Sequence, residues 1–536
     1  MNKLVYISDF FANEVQGGAE IYDSVLIDQL KKKGIQVATF KSSEFGLKHL
    51  DLYLESDFNF IISNFTQLPE VVKRKLEVYG DRYAILEHDH KYIIDRNPSN
   101  YNNFKVPTQR MVNQSFYNSA KAVFCQSIKH AEVVSMNLSH ASIVNLGCSL
   151  WSDEQLNIIK NCLNVDKNNK CFVLGDMNPI KGLEKAKTYC INKKIDHDVV
   201  PKQPYQQYIE ALAAYDSLAF FPQTLESFCR LVVEARMLNC KLKTNELNGC
   251  TYEPWFKKYK GAELVSFIES KREEIVEAVS QKLFEKSDSQ QADLTVILNC
   301  YRRPYNLQMQ VDALRAQSVQ PKEIWLWINY HEDNKDFDPG TLGVDRVFKN
   351  DFNWKFYGRF AAALLADTEY VAIYDDDTIP GSNWHKNCLE AMHTQEGIMG
   401  SAGYIQTGDL ASQYYRHGWP SQNEQLERVD YVGHAWFFKR EWLSHLWREK
   451  PPTWDNGEDM HFSYTSQKYG GIQTYCPPHP PGDKSMHGSL LGNELGIDSK
   501  ATSNNQAVSH GEFFSQRDMC IRTALNGGWD TVKKVK

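Results

Sequence analysis

The chain has 536 residues, more than one hydrophobic core usually serves, so we expect two or three domains. Its formal net charge of -7 gives no general attraction to polyanions, so a nucleic acid partner would need a local basic patch. The twelve cysteines are scattered without a C-x-x-C pair, which indicates reduced thiols and argues against structural zinc. Without a signal-peptide pattern or an apolar run of transmembrane length, we expect a cytoplasmic protein.

The first half of the chain alternates strand and helix patterns. KLVYIS predicts a strand, AEIYDSVLIDQLKKKG predicts an amphipathic helix that ends at Gly34, and IQVATF predicts the next strand. Further apolar runs as far as SLAFFPQ, with helix-like segments between most of them, favour a doubly wound parallel sheet. We predict an α/β domain over residues 1–285, with subdomains of about 1–165 and 166–285.

Two motifs in this half are candidates for ligand binding. QGGAEIY places Gly18 at a helix start, where free backbone N–H groups can approach a phosphate or a sugar, although helix-entry turns use the same residues. Glu226 and Glu234 lie about two helical turns apart and roughly 80° apart around the axis, so both can face one cleft. Separated glutamates are usually surface residues, but Glu234 lies in the apolar stretch LVVEARML. His88 and His90 in LEHDHKY could contact the same ligand or be structural.

Together with NPIKG at Lys181, these motifs resemble the family 4 glycosyltransferases of the GT-B fold, over residues 1 to about 285. The resemblance implies that Glu226 and Glu234 are the E-x7-E pair, that the second holds the donor ribose, and that Lys181 pairs with the donor diphosphate. Asp176 stands where the family usually has arginine, and an anion there weakens diphosphate binding unless another cation replaces it. This domain is therefore expected to be a second transferase, an altered one, or a non-catalytic scaffold that binds the acceptor.

A short polar interval, KSDSQQAD at residues 286–293, predicts a linker to a second domain over residues 294–536. This domain opens with the buried strand pattern LTVILNCYRRP, continues with a helix and KEIWLWIN, and reaches TEYVAIYDDD after the helix-like YGRFAAALLAD. Beyond Gly400 the pattern is looser.

Three adjacent carboxylates, Asp375, Asp376 and Asp377, follow the strand pattern TEYVAIY. In an open α/β sheet, ligands bind beyond the carboxyl ends of the strands. Adjacent like charges raise the cost of ionisation, so the triplet requires solvation or a neutralising cation. Magnesium or manganese, held by one or two carboxylates and completed by phosphate oxygens, fits this need; a solvated turn is the alternative.

Further polar candidates flank the triplet in the sequence. Glu458 and Asp459 in WDNGEDMHFSY lie at a predicted helix start, where the helix dipole favours a carboxylate and a base could be positioned. His487 in GDKSMHGS is either a ligand or a surface histidine. Arg359, before the Asp triplet, could donate to phosphate or form a structural ion pair.

The order of strand, Asp triplet, Glu-Asp pair and late histidine resembles the GT-A glycosyltransferases, over residues 293 to about 490. The opening TVILNCYRRP and the DDD signature are similar to family 2 enzymes and to exostosin-like transferases. For the donor, the resemblance implies that Asp375, with Asp376, helps to hold the nucleotide. Tyr301 and Arg303 then become candidates for contacts with its base and diphosphate.

The same resemblance assigns the metal and the catalytic base. Asp377 is expected to bind the divalent cation, Mn²⁺ or Mg²⁺, and His487 is expected to be a further ligand. Asp459, beside Glu458, corresponds to the base that deprotonates the acceptor hydroxyl in inverting family members. The chemistry agrees, because a cation neutralises the leaving diphosphate and a carboxylate accepts the proton.

The sequence thus predicts a hexosyl- or pentosyltransferase with a GT-B-like domain followed by a GT-A-like domain, both potentially active. A UDP-sugar is the default donor. The expected acceptor is a growing glycan or a lipid-linked saccharide, although the chain shows no membrane anchor. One alternative is a hydroxymethylated base in viral DNA, which acidic net charge disfavours. Another is a carbohydrate-binding scaffold in which both sites are inactive.

Overall fold

The computed structural model describes residues 2–138, 142–285, 290–496, 500 and 510–532. By compactness the chain divides into an N-terminal unit, residues 1–76 with 81–286, and a C-terminal unit, residues 77–80 with 287–536. Of the predicted linker, residues 286–289 lie outside the described residues. Residues 290–293 lie in the strand Gln290–Cys300.

The N-terminal unit contains two parallel sheets. The first has the order β2-β1-β3-β4-β5-β6 and the second the order β10-β9-β7-β8. Their strands are β1 (Lys3–Ser8), β2 (Gln36–Lys41), β3 (Asn59–Ile62), β4 (Tyr83–Leu86), β5 (Ala122–Cys125), β6 (Ile143–Asn145), β7 (Cys171–Gly175), β8 (His197–Pro201), β9 (Ser217–Phe220) and β10 (Lys241–Thr244). The central strands β4, β5 and β9 are buried along their whole length, as expected for parallel sheets covered on both faces.

Helices alternate with these strands, as the sequence predicts. They are α1 (Gly18–Lys32), α2 (Leu47–Glu55), α3 (Glu70–Val78), α4 (Gln114–Asn118), α5 (Ile128–Asn137), α6 (Asp153–Asn161), α7 (Leu183–Asn192), α8 (Tyr205–Ala213), α9 (Arg230–Met237), α10 (Pro254–Lys258) and α11 (Gly261–Phe284). Parallel strands need such crossover connections, so the alternating pattern and the parallel sheets have the same cause. The predicted α/β class is confirmed.

The C-terminal unit is built on one mixed sheet. Its order is β13-β12-β11-β14-β18-β15-β19-β17, and β16 pairs with β15. The strands are β11 (Gln290–Cys300), β12 (Val319–Ile328), β13 (Arg346–Lys349), β14 (Tyr370–Tyr374), β15 (Gly397–Gln406), β16 (Tyr414–Gly418), β17 (Glu427–Val429), β18 (Tyr431–Lys439) and β19 (Gln473–Cys476). The helices are α12 (Leu307–Arg315), α13 (Gly358–Ala363), α14 (Trp384–Thr394), α15 (Leu443–Leu446), α16 (Glu458–Gly470), α17 (Gly492–Gly496) and α18 (His510–Asn526).

The relative direction of neighbouring strands changes at β14. Strands β13, β12, β11 and β14 are parallel, whereas β18 is antiparallel to β14 and to β15. Because the parallel strands end at the same edge, the residues that follow β11 and β14 lie side by side, with Leu298 opposite Tyr374. The antiparallel β18 brings Ala435 opposite Tyr374 at the same edge. Both halves of the sheet therefore contribute to the place where the Asp triplet begins.

Two expectations from the sequence concern the cysteines and membrane-spanning helices. All twelve cysteines are free and buried. No described helix has both the length and the apolar composition that crossing a bilayer requires.

Candidate active site

A cavity of about 700 Å³ opens at this edge of the C-terminal sheet. Eight of the nine site residues predicted in this half line it: Tyr301, Arg303, Arg359, Asp375, Asp376, Asp377, Glu458 and Asp459. The parallel strands and the start of α16 thus bring together side chains that are distant in sequence. His487, the ninth, is not among the lining residues.

Two members of the Asp triplet and a histidine form a group suited to a metal ion. One ligand atom each from Asp375, Asp377 and His434 lies within 4.8 Å of the others. The His434 Nδ1 atom is buried without a hydrogen-bond partner among the described residues, 3.8 Å from Asp377 Oδ1. Burial opposes ionisation of Asp377, but its interaction with His434 and the charge of Arg303 lower the pKa of the carboxyl. A carboxylate that stays ionised beside an unpartnered imidazole nitrogen is a suitable donor set for a divalent cation.

The backbone of His434 is tied to the Asp triplet. Its carbonyl oxygen accepts hydrogen bonds from Asp375 N and from Thr378 Oγ1, both at 3.0 Å. The residue has φ of +64°, a conformation that non-glycine residues seldom adopt and that surrounding contacts must maintain. The Trp419 ring packs against the imidazole with 4.1 Å between centroids. The imidazole is therefore held beside the carboxylates.

Asp376 is paired with a buried arginine. Arg303 Nη1 donates to Asp376 Oδ1 at 2.8 Å and lies 3.5 Å from Asp377 Oδ2. Burial raises the pKa of Asp376 to about 6 despite the opposing charge of Arg303, and the two neighbouring aspartates add to the rise. Asp376 is therefore paired with Arg303, while Asp375 and Asp377 form the candidate metal group with His434.

Arg359 links the Asp triplet to α16. Its guanidinium, on a residue only 2% exposed, donates to Asp375 Oδ1 and, at 3.2 Å, to Glu458 Oε1. Glu458 Oε2 is buried without a hydrogen-bond partner among the described residues. Burial, then the charge of Asp459, raises the pKa of Glu458 to about 7 against the opposing charge of Arg359. Glu458 is thus a carboxyl group with one unused oxygen atom and a pKa near neutrality.

Asp459, the predicted base, is held by a residue from the last helix. Arg517 of α18 donates to Asp459 Oδ2 at 2.8 Å and to Asp459 Oδ1 at 3.2 Å. This two-pronged contact orients the carboxylate in the cavity. Arg517 itself lines the cavity and packs over the Tyr431 ring.

Tyr301 and His487 have different surroundings. Tyr301 lines the cavity. Its hydroxyl accepts a hydrogen bond from Asn353 at 3.1 Å, and its ring contacts His331 edge to face. His487 is buried, and its Nε2 atom lies 2.7 Å from the Pro480 carbonyl oxygen. Burial lowers the pKa of His487. The structure does not bring His487 into the candidate metal group; the imidazole found there belongs to His434.

In the N-terminal unit, Glu234 is enclosed by donors. Trp151 Nε1 and Tyr205 OH donate to Glu234 Oε1 at 2.9 and 3.0 Å, and Tyr208 OH donates to Glu234 Oε2 at 3.0 Å. Arg230 Nη2 lies 3.6 Å from the same carboxylate, which is 3% exposed. Glu234, predicted to hold the donor ribose, is thus occupied by hydrogen bonds within the protein.

The other candidates in this unit are also paired. Lys181 Nζ donates to Glu226 Oε1 at 2.7 Å. Asp176 Oδ2 forms an ion pair with Lys202 Nζ at 3.0 Å. Gly18 is the first residue of α1, and a Cβ atom there would lie 3.9 Å from Arg230 Cδ. The structure therefore joins Lys181 to Glu226. Helix α9 begins at Arg230, so Glu226 precedes it and the predicted placement of both glutamates on one helix is wrong. Gly18 lies near the cation that contacts Glu234.

The two histidines of LEHDHKY are buried. His88 Nε2 contacts the fully buried Asp23 carboxylate at 3.2 Å, and His90 Nδ1 contacts Tyr92 OH at 2.9 Å. Burial lowers the pKa of His90. These contacts agree with the structural alternative for both residues.

The chain matches no protein-family model and no curated protein. Among solved structures it is similar to TarS of S. aureus, with 14% identity and a TM-score of 0.27, over 35% of this chain and 37% of TarS. It is also similar to HepE of Anabaena in complex with UDP and glucose, with 14% identity and a TM-score of 0.29, over 53% of this chain and 96% of HepE. The aligned region spans little more than a third of the TarS chain. Similarity this weak identifies no function.

Proposed function

We propose that the C-terminal unit is the catalytic unit of a glycosyltransferase, which moves a sugar from a nucleoside diphosphate donor to an acceptor hydroxyl. One observation supports this proposal: a candidate cation site and two candidate proton acceptors line the same cavity. Asp375, Asp377 and His434 offer a cation site at the end of β14, and Glu458 and Asp459 offer proton acceptors at the start of α16. Both assist glycosyl transfer, because a diphosphate leaves as a hydroxyl loses its proton.

The residues present fit a divalent cation, Mn²⁺ or Mg²⁺. Two carboxylates and an unpartnered imidazole nitrogen supply three ligand atoms, and donor phosphate oxygens and water can complete the coordination. A bound cation would neutralise charge on the departing diphosphate. We propose Asp375, Asp377 and His434 as its protein ligands, with His434 in the role predicted for His487.

The transfer step uses the carboxylates of α16. The acceptor hydroxyl gives its proton to the Asp459 carboxylate while its oxygen forms a bond to the anomeric carbon. The bond between that carbon and the diphosphate oxygen breaks, and the electron pair leaves with the diphosphate. Attack from the face opposite the leaving group inverts the anomeric configuration. Arg517 orients Asp459 for this step, and the unused Glu458 Oε2 is the neighbouring proton acceptor.

The donor is proposed to lie against the residues that follow β11. Arg303, on the Asp376 side of the triplet, adds positive charge next to the site of the diphosphate. Tyr301 offers a ring surface in the same wall for the nucleotide base. A UDP-hexose or a UDP-pentose is the donor class that we propose to test first.

For the N-terminal unit we propose a non-catalytic role. Glu234 receives hydrogen bonds from three ring donors, and Lys181 is closed onto Glu226. A ribose or diphosphate would have to displace these contacts before binding, and breaking buried hydrogen bonds to a charged group is costly.

Hydrolysis of a panel of nucleotide sugars, with Mn²⁺ and then with a chelator, tests the proposed function. Wild type is compared with Asp377→Ala and with Asp409→Ala, a control in which an exposed aspartate paired with Arg522 is removed. We expect turnover to be lost with chelator and in Asp377→Ala, and retained in Asp409→Ala. Turnover that survives both treatments but is lost in Glu234→Ala would instead make the N-terminal unit the enzyme.

A further inference from the structure

A row of side chains crosses three strands of the C-terminal sheet and lines the cavity. In the strand register, Arg416 of β16 is opposite Tyr404 of β15, and Tyr404 is opposite Tyr431 of β18. Residues directly opposite each other in a sheet project from the same face, so the three side chains lie side by side. Tyr414, two residues before Arg416 on β16, projects from that face too. All four residues line the cavity.

The row holds the Arg416 guanidinium in a fixed position. Its central carbon lies 4.8 Å from the centroid of the Tyr404 ring and 5.3 Å from that of the Tyr414 ring. Its Nη2 atom donates to the hydroxyl oxygens of Tyr404 at 3.1 Å and Tyr414 at 3.0 Å. Stacking and hydrogen bonding together orient the planar group, which lowers the entropy cost of binding a ligand to it.

Arg416 differs from the other cationic side chains of the cavity in its charge balance. Each of the others has a carboxylate within 4.0 Å: Arg302, Arg303, Lys355, Arg359, Lys500 and Arg517. Arg416 has no carboxylate partner within the part of the chain that the structure describes. Its Nε atom is buried there without a hydrogen-bond partner. A guanidinium with an unused donor in an otherwise charge-paired cavity is suited to an anion.

The position of Arg416 indicates which ligand supplies that anion. Tyr404 stacks on Tyr431 with 4.7 Å between centroids, and Arg517, which holds Asp459, packs over the other end of this pair. Arg416 therefore lies on the side of the cavity that carries the proposed base. The acceptor must bind on that side, because its hydroxyl has to reach Asp459.

We propose that Arg416 recognises an oxyanion, a phosphate or a carboxylate, on the acceptor. The inference depends on the proposed function, since it assigns the acceptor to the side of Asp459. It identifies the acceptor class as an anionic saccharide or another phosphate- or carboxylate-bearing compound with a free hydroxyl. A neutral sugar acceptor leaves the Arg416 charge without a partner.

Calorimetric titration of the full chain with inorganic phosphate and with glucuronate, at constant ionic strength, tests this inference. Glucose is the neutral probe, and each titration is run with and without saturating UDP, so that donor-site binding is separated from binding at Arg416. The variants are Arg416→Gln and Arg416→Lys. The control is Arg448→Gln, which removes an exposed arginine packed over Tyr469 and outside the cavity lining.

With UDP bound, we expect phosphate or glucuronate to bind wild type and Arg448→Gln equally, and Arg416→Gln at least roughly tenfold more weakly. Arg416→Lys keeps the charge but not the fork, so its affinity should be intermediate. Whichever of the two anions binds more tightly identifies the oxyanion. Equal binding by wild type and Arg416→Gln, or no anion binding at all, overturns the inference. Failure of UDP to bind contradicts the proposed function instead, and the difference between variants without UDP still decides the role of Arg416.

Discussion

Two buried glutamates, one in each unit, have opposite surroundings. Glu234, in helix α9 of the N-terminal unit, receives hydrogen bonds from Trp151, Tyr205 and Tyr208. Glu458, at the start of α16 in the C-terminal unit, receives one from Arg359 and leaves Oε2 without a partner among the described residues. Both are almost fully buried, at 3% and 4% exposure, so burial alone does not distinguish them.

The difference lies in how the hydrogen-bonding capacity of each carboxylate is used. A carboxylate whose oxygens all have protein donors stabilises the fold and has little capacity left for a ligand. One that retains a free oxygen in a cavity bears an energetic cost that a ligand or a proton can remove. The comparison indicates a structural role for Glu234 and an oxygen atom available to a ligand or a proton in Glu458.

The largest effect is expected for Asp459→Asn. The amide has no basic oxygen, so nucleotide-sugar turnover should fall by roughly 100-fold or more. UDP affinity, measured by calorimetry, should stay within about twofold, because the base does not contact the donor before transfer. Asp455→Asn is the matched control, since Asp455 lines the same cavity but pairs with Lys355. Unchanged turnover in Asp459→Asn would show that Asp459 is not the base in the transfer step.

Glu234→Gln should act on stability and leave chemistry unchanged. The variant loses the charged acceptor of three hydrogen bonds, one of them fully buried, and we expect the free energy of unfolding in urea to fall by about 3 kcal/mol. Turnover per folded molecule should be that of wild type. Glu226→Gln, with a more exposed side chain, should cost less. Lost turnover at unchanged stability would reverse the comparison between the two units.

Glu458→Gln should change how stability depends on pH. A carboxyl whose folded-state pKa is raised to about 7 from an ordinary value of 4.5 binds its proton more tightly when folded, so stability is lost as pH rises across that interval. Glutamine does not titrate, so the variant should gain stability relative to wild type between pH 5 and pH 8. Urea unfolding in chelator measures this, and Glu424→Gln, at an exposed position, is the control. A difference that does not change with pH contradicts the shifted ionisation.

Lys181→Gln should have the smallest effect. Its ion pair with Glu226 is partly exposed, so we expect a loss of about 0.5 kcal/mol in the free energy of unfolding and no change in UDP affinity. Lys202→Gln, which removes the partner of Asp176, should behave similarly. A large loss of UDP affinity in Lys181→Gln alone would restore the diphosphate role predicted for it.

Much of the C-terminal site is predictable from local patterns. The apolar run before Asp375 predicts β14, and the run before Tyr301 predicts β11. Since parallel strands end at one edge, the sequence also explains why Arg303 and the Asp triplet meet. Local patterns do not predict a role for His434, which is a single histidine in the apolar strand β18. Only the antiparallel pairing of β14 with β18 brings it to the carboxylates.

Long-range packing accounts for the other differences. Arg517 lies in the last helix, and no local pattern associates it with Asp459. His487, chosen for its Gly and Ser setting, is turned to the Pro480 carbonyl. Residues 290–293, predicted as a linker for their polarity, extend β11 beside β12, because strand pairing satisfies backbone groups whatever the side chains are.

The sequence by itself determined the α/β class, the alternation of strands and helices in the N-terminal half, and the carboxylates at the end of β14. These features follow from hydrophobic periodicity and chain order, which are local properties. Tertiary structure alone decided which polar groups remain available to a ligand. Glu234 is saturated by residues from two other segments, the Trp151 loop and helix α8, whereas His434 Nδ1, Glu458 Oε2 and Arg416 Nε have no hydrogen-bond partner in the described structure. Hydrogen-bond saturation depends on donors brought together from distant parts of the chain, so no local pattern encodes it.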